Sequence, residues 1–185
     1  MKNRCFGNKV GQFLVAQYHD KEWGIPSHDD RHLFELLVLE GAQAGLNWET
    51  ILKKRDAYRD AFHNFDPKRV ARMSDAELDA LLVDSTIIRN RLKVTSARKN
   101  ARVYLEIQEE FGSFDCYLWK WVDGKPVRGI WAEWKDVPCQ SELSAAVSKD
   151  LKRRGMSFVG PKIIYSYLQA VGVLNDHIQS CWCCT

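Results

Sequence analysis

The sequence predicts an all-α fold over residues 1–185, read as a single domain. Three observations carry that expectation. Apolar residues recur at helical spacing in one segment after another, most of those segments open on a capping residue, and no stretch alternates apolar with polar side chains as a half-buried strand would.

Residues 1–29 read as irregular, punctuated by Gly7, Gly11, Gly24 and Pro26, although Tyr18-His19-Asp20-Lys21-Glu22-Trp23-Gly24 is dense in functional side chains. Asp29 or Asp30 can cap the first helix. Its Leu33–Leu39 segment is apolar nearly all round, which belongs in a core, and Glu40 stands at its end. Gly41-Ala42-Gln43-Ala44-Gly45-Leu46 follows, small residues framed by glycine that let backbone come close to a neighbour. Asn47 then caps a second helix, with Trp48, Ile51, Leu52 and Arg55 on one face and an expected end at His63. Phe65-Asp66-Pro67 is an N-cap with proline at the first helical position. Ser74-Asp75-Ala76-Glu77 is a capping box before Leu78, Leu81 and Leu82. A longer helix is expected from Arg91 to Phe111, stopped by Gly112. From Val122 to Gln140 periodicity disappears, leaving a long loop with Trp131 and Trp134 and no assigned role. Helix resumes at Ser141 with Leu143, Val147 and Leu151, and ends at Gly155. Pro161 opens the last helix, with Ile163, Ile164, Tyr167, Leu168 and Val171 apolar and Gly172 closing it.

A chain of 185 residues suits one domain that buries about two-thirds of its unfolded surface. Hydrophobic content of 45% beside 28% charge is that of a soluble globular protein, which sets aside disorder. No run approaches the roughly 18 apolar residues of a membrane span, and Met1-Lys2-Asn3-Arg4-Cys5 lacks an apolar leader, so the cytosol is expected. Six cysteines there do not read as a disulfide frame. A net charge of +3 is too mild to indicate nucleic acid, so charge placement must carry that case.

Three constellations bear chemistry. The helix, six-residue turn and helix from Ser141 to Val171 present free backbone N–H groups at Pro161, a phosphate seat with Lys149, Lys152, Arg153, Arg154 and Lys162 around it. It is similar to the helix-hairpin-helix of proteins that grip DNA backbones; the alternative is an antiparallel helix pair with a solvated basic face. Arg89, Arg91, Lys93, Arg98, Lys99 and Arg102 form a run without acids, either an exposed helix face or a second strip of phosphate contacts. His177 and Cys181 stand one helical turn apart, and Cys5 with His19 could complete a Cys2His2 tetrahedron. Such a zinc, with no open position, would be structural and would fasten the two ends of the chain; the alternative is free thiols and surface histidines.

Together these residues resemble the bacterial 3-methyladenine DNA glycosylase I family. The likeness runs from Arg4-Cys5 to Cys181 through Tyr18-His19-Asp20, Glu22-Trp23-Gly24, Leu39-Glu40-Gly41, Gln43-Ala44-Gly45-Leu46, Trp48, Leu52-Lys53-Lys54-Arg55, Phe65-Asp66-Pro67, Ile87-Ile88-Arg89, Phe158-Val159-Gly160 and Asn175-Asp176-His177. The resemblance implies a helix-hairpin-helix DNA glycosylase fold with one structural Zn2+ on Cys5, His19, His177 and Cys181. It implies a monomer that excises 3-methyladenine from alkylated double-stranded DNA and releases the free base. Glu40 would be the catalytic contact to the base, with Tyr18 and Trp48 stacking on it and Trp23 walling the pocket. Gln43, Gly45 and Leu46 would lie at the lesion, Leu46 as a wedge, while Phe158, Val159, Gly160 and Lys162 hold the DNA. The chemistry agrees, because N3 alkylation makes the base cationic, easier to flip and a good leaving group.

Two positions depart from the family. Gly7 and Val15 stand where it usually carries a Trp and another aromatic; Phe6 or Phe13 can substitute. Asn175 replaces the catalytic Asp of other helix-hairpin-helix glycosylases, which fits an easy leaving group. No Lys lies between Leu33 and Trp48, so simple hydrolysis without strand cleavage is expected. A non-enzymatic damage sensor and a zinc-tied adaptor without DNA are the rivals. Glu40 and Trp48 argue against the first, and steep salt dependence of DNA binding would exclude the second.

Overall fold

The computed structural model describes residues 3–83 and 86–184, most of them helical. The elements are α1 (Phe13–Lys21), α2 (Asp30–Gln43), α3 (Trp48–Ala61), α4 (Pro67–Ala71), α5 (Asp75–Val83), α6 (Arg91–Phe111), α7 (Phe114–Trp119), α8 (Glu142–Arg153) and α9 (Pro161–Ala170). Two-residue strands β1 (Val127–Arg128) and β2 (Leu174–Asn175) and 3-10 turns at His63–Phe65, Lys120–Val122 and Trp134–Asp136 complete them.

α2 is the centre of the core. Leu33, Phe34, Leu36, Leu37 and Leu39 are fully buried, each worth about 1.5–3 kcal/mol of burial. α3, α6, α7 and α9 pack around them. Of the two candidate caps, Asp29 caps α2, accepting from the His32 backbone N–H at 2.7 Å. Asp30 turns away and accepts from the N–H groups of Phe114 (2.9 Å) and Asp115 (2.8 Å) at the start of α7. The caps at Asn47 and Asp66 and the box of Ser74 with Glu77 form as the sequence predicts, and Asn90 caps α6 in addition.

The structure corrects the sequence reading in four places. Residues 1–29 contain α1, whose inward side is Val15, Tyr18 and His19 while Phe13 is exposed, so its hydrophobic pattern points the wrong way. α3 stops at Ala61 rather than His63; His63, Asn64 and Phe65 then turn through positive φ angles of 54°, 52° and 53°. α7 is an extra short helix, capped by the Ser113 hydroxyl. The Val122–Gln140 loop contains β1, paired parallel with β2 through Val127↔Leu174 and Arg128↔Asn175.

A buried ionic cluster joins α2, α3 and the end of α1. Arg55 donates from Nε to Glu35 (2.7 Å) and from Nη1 to Glu22 (2.8 Å), and Arg59 Nε also reaches Glu35 (2.8 Å). Burial pushes the Glu35 carboxyl up, but His32, Arg55 and Arg59 outweigh it and hold the group at about 2. Removing Arg55 leaves the buried Glu35 with Arg59 and His32 as its remaining partners, so Arg55→Ala should cost about 1–3 kcal/mol at pH 7. Because Glu35 is depressed below its ordinary 4.5, its contribution is present above that pH and is lost as pH falls towards 2. Urea denaturation at pH 7 and pH 3 checks this; equal losses at both would refute the assignment.

Candidate active site and metal centre

The end of α2, the start of α3 and one face of α1 enclose a cavity of about 340 Å³. Asn47 caps α3 through the Glu49 N–H at 2.7 Å, which places Trp48 at the first helical position. Its indole meets the Tyr18 ring at 5.2 Å between centroids. Trp23, Gln43 and Gln169 add to the wall. Glu40, on the last turn of α2, is buried, and its Oε2 has no hydrogen-bond partner; neither has Trp48 Nε1. Glu40 does not line the cavity surface itself. Its charge is nevertheless felt at the Tyr18 phenol, which burial first, then Glu40 and Glu22, push well above its ordinary value. Burial alone pushes the Glu40 carboxyl up to about 8. The cavity thus joins aromatic rings to polar side chains, with Glu49, paired to Lys53 at 2.8 Å, on its rim, and has behind it a buried carboxyl ready to ionise beside a cation.

The four predicted metal ligands converge. Donor atoms of Cys5, His19, His177 and Cys181 lie within 4.8 Å of one another, and all four residues are buried. Cys5 Sγ and Cys181 Sγ are 3.5 and 3.4 Å from His177 Nδ1, and Cys181 Sγ is 3.4 Å from His19 Nε2. Tetrahedral zinc, with Zn–S about 2.3 Å and Zn–N about 2.0–2.1 Å, sets sulfur and nitrogen about 3.6 Å apart, so the donor set fits that ion. The remaining ring nitrogens are fixed from behind. His19 Nδ1–H donates to Asp20 at 3.0 Å and His177 Nε2–H to the Trp23 carbonyl at 3.2 Å. Arg4 grips Asp20 through two bonds of 2.7 and 2.8 Å, holding that carboxyl well below the usual range. The N–H groups of Ile178 and Cys183 point at the two sulfurs.

The methyladenine glycosylase family profile matches residues 9–184. The chain belongs to the methyladenine glycosylase family. It is 43% identical over 174 residues to the DNA-3-methyladenine glycosylase of Haemophilus influenzae, covering 94% of each chain. A crystal structure of 3-methyladenine DNA glycosylase I superposes with a TM-score of 0.94 at 44% identity, over 98% of this chain and 99% of that one. A variant of 3-methyladenine DNA glycosylase I, solved in complex with 3-methyladenine, gives a TM-score of 0.93 at 37% identity, over 98% and 97% of the two chains. Members of the family are glycosidases that hydrolyse N-glycosyl bonds, and this chain is such an enzyme.

Within this methyladenine glycosylase, the segments assigned to DNA lie side by side. Gly41 admits the turn between α8 and α9: a Cβ there would stand 3.2 Å from the Phe158 Cβ. Phe158 itself has a positive φ of 56°. Val159 is buried and its carbonyl accepts from the Ser148 hydroxyl at 2.6 Å. Gly160 precedes α9 without a side-chain cap, and Lys162 is exposed on the first turn. Beyond Gln43 the chain turns at Gly45 and exposes Leu46. The basic run is only partly a surface strip. Lys93 holds the Ala42 and Ala44 carbonyls at 2.9 and 2.6 Å, while Arg98 and Arg102 reach those of Met73 and Ala71. Arg91 pairs with Asp79, and Arg89 and Lys99 are exposed.

Of the two candidates for the missing aromatics, Phe6 lines the cavity and Phe13 does not, being 80% exposed. Sequence reasoning passed over Gln169 and left Trp134 without a role; both line the cavity. Trp134 carried a signal, an aromatic in a long loop, but nothing local told where the loop lands. Gln169 carried none.

Proposed function

We propose that this glycosylase excises 3-methyladenine flipped out of alkylated double-stranded DNA, acting as a monomer in the cytosol. The observation that carries the reading is Glu40, a buried carboxyl with one oxygen that no protein group satisfies, beside a cavity walled by Tyr18 and Trp48. An unmade buried hydrogen bond costs about 1–3 kcal/mol, which a ligand's donor can recover. N3 alkylation supplies a positive purine, suited both to the ring faces and to an ionised Glu40. The complex of the relative described above with 3-methyladenine supports that base as substrate.

Tyr18 and Trp48 hold the base by stacking, and Glu40 stabilises its charge and orients it. When the N9–C1′ bond breaks, its electron pair passes to the cationic ring, which leaves as neutral base. Water adds to C1′ and gives its proton to solvent, leaving an abasic sugar in an intact strand. The α8–turn–α9 unit serves as the helix-hairpin-helix, its unfilled N–H groups and Lys162 facing phosphate, and Leu46 fills the vacated stack. Cys5, His19, His177 and Cys181 would hold one zinc, which supplies no step and ties the chain's ends together. Six cysteines that do not read as a disulfide frame suit a reducing compartment.

Incubation with methylated duplex DNA, followed by chromatography of the freed bases, should show 3-methyladenine released and strands uncut; no release would overturn the reading. No lysine lines the cavity among the described residues, so borohydride should trap no enzyme–DNA adduct. A stoichiometric adduct would reveal an amine nucleophile and a different mechanism.

A further inference from the structure

We propose that Trp134 is the outer wall of the base slot and sets the preference for the methylated base; this rests on the glycosylase reading above. Gly7 and Val15 leave the slot short of two aromatics on the α1 side. Val15 lines the cavity as a small aliphatic, and Gly7 does not reach it. The gap is closed from a remote part of the chain. Trp134 lines the same cavity as Tyr18 and Trp48, and its ring stands 5.3 Å from Phe6 and 5.8 Å from Trp23 between centroids. Phe6 in turn meets Trp23 edge-on at 5.0 Å. Three rings from three segments thus make one continuous wall.

The segment between β1 and α8 is built to hold Trp134 in place. Val127 and Gly129 donate their N–H groups to Val173 and Asn175, both at 2.9 Å. A Cβ on Gly129 would collide with Trp131 Nε1 and Asp176 Oδ1, so glycine is required for the strap to lie this close. Trp131 Nε1 donates to Asp176 at 2.7 Å, and the Gln179 N–H to the Trp131 carbonyl at 2.9 Å. Buried Asp176 also accepts from Tyr165 (2.6 Å) and from Gln169 Nε2 (2.8 Å), so one carboxylate fixes both the strap and a second wall residue. Glu133 and Asp136 close a capping box around the 3-10 turn that carries Trp134. Trp134 is 42% exposed, so a base entering the slot would cover part of the indole. Indole is the strongest cation–π partner among the side chains, which favours an electron-poor methylated purine over adenine.

The test is titration of free 3-methyladenine and adenine, in mildly acidic buffer where the first is protonated and cationic and the second neutral, into the wild-type, Trp134→Ala and Trp134→Phe proteins, with thermal melts and binding to undamaged duplex as controls. Trp134→Ala should lose about ten- to a hundredfold in 3-methyladenine affinity and less for adenine, Trp134→Phe should recover most of it, and melting and duplex binding should not change. Equal 3-methyladenine affinity in wild type and Trp134→Ala overturns the proposal while the glycosylase reading stands. Wild-type protein that takes up no 3-methyladenine overturns that reading itself. If the alanine variant melts early, Trp134→Leu keeps apolar bulk without the ring: loss of the preference over adenine supports the proposal, and an unchanged preference overturns it.

Discussion

Stripping metal from the Cys5–His19–His177–Cys181 cluster is expected to unfold the protein or to lower its melting temperature steeply. Two ligands come from the start of the chain and two from its end, so a bound ion would reinforce direct contacts such as those of Asn3 with Ser180 and Trp182 and of Asp20 with Trp182. Metal binding energy in such sites appears as folding energy, about 10–16 kcal/mol in isolated zinc fingers, against about 5–15 kcal/mol for a whole domain. Cys5 and Cys181 sit at the edge of the core that α2 centres, so the ends and α1 should loosen first. Purified protein should hold one zinc per chain, and Cys181→Ser should lose it. Exposed Cys184 is the control, and Cys184→Ser should keep both metal and stability. Protein that folds and melts normally with almost no metal would refute the site.

Glu40→Gln should preserve the fold and cost roughly one to two powers of ten in affinity for the protonated, cationic form of 3-methyladenine, since a charge-assisted hydrogen bond is worth about 1.5–3 kcal/mol. Adenine should be affected far less. Trp48→Ala should weaken both bases, by about 1–3 kcal/mol of stacking. The glutamine variant should also change the pH dependence of stability. Burial raises the Glu40 carboxyl from 4.5 to about 8, so its favourable contribution is complete below 4.5 and is lost as pH climbs through 8, at up to about 1.4 kcal/mol per unit. Glu40→Gln cannot ionise, and above pH 8 it should melt higher than wild type. Melting curves at pH 6 and pH 9 decide this. Parallel shifts in both proteins would mean that Glu40 is solvated or paired.

What could be read in advance follows from where the information lies. α2 was legible because Leu33 to Leu39 are apolar on every side, and a charge at Glu40 on such a helix invites a functional reading. The helix starts at Asn47, Asp66 and Ser74 were legible because a cap is a local bond between a side chain and a backbone group two or three residues on. The converging Cys and His positions of the cluster were legible through the resemblance rather than through helical spacing, since residues 176–181 form no helix. α1 was not, since its exposed Phe13 and buried His19 invert the usual pattern. Six-residue α7 is too short for periodicity to register. Asp30 shows the limit of local rules: two adjacent aspartates could cap α2, and only the position of α7 decides between them. The placing of Trp134 depends on a parallel strand pair and on Asp176, both distant in sequence. No local signal could have reported it.

The most direct test of Glu40 as the partner of a cationic base is the pH profile of kcat/KM on methylated duplex DNA, which reports the ionisation of the free enzyme. Below pH 8 the empty site holds a protonated Glu40, so a cationic base must displace that proton on entering. The wild-type profile should therefore rise with pH, by up to about tenfold per unit, and level off near pH 8, while Glu40→Gln runs lower and flat. A wild-type profile that falls across this range, or one that coincides with that of the glutamine variant, would contradict the assignment of Glu40 to the base.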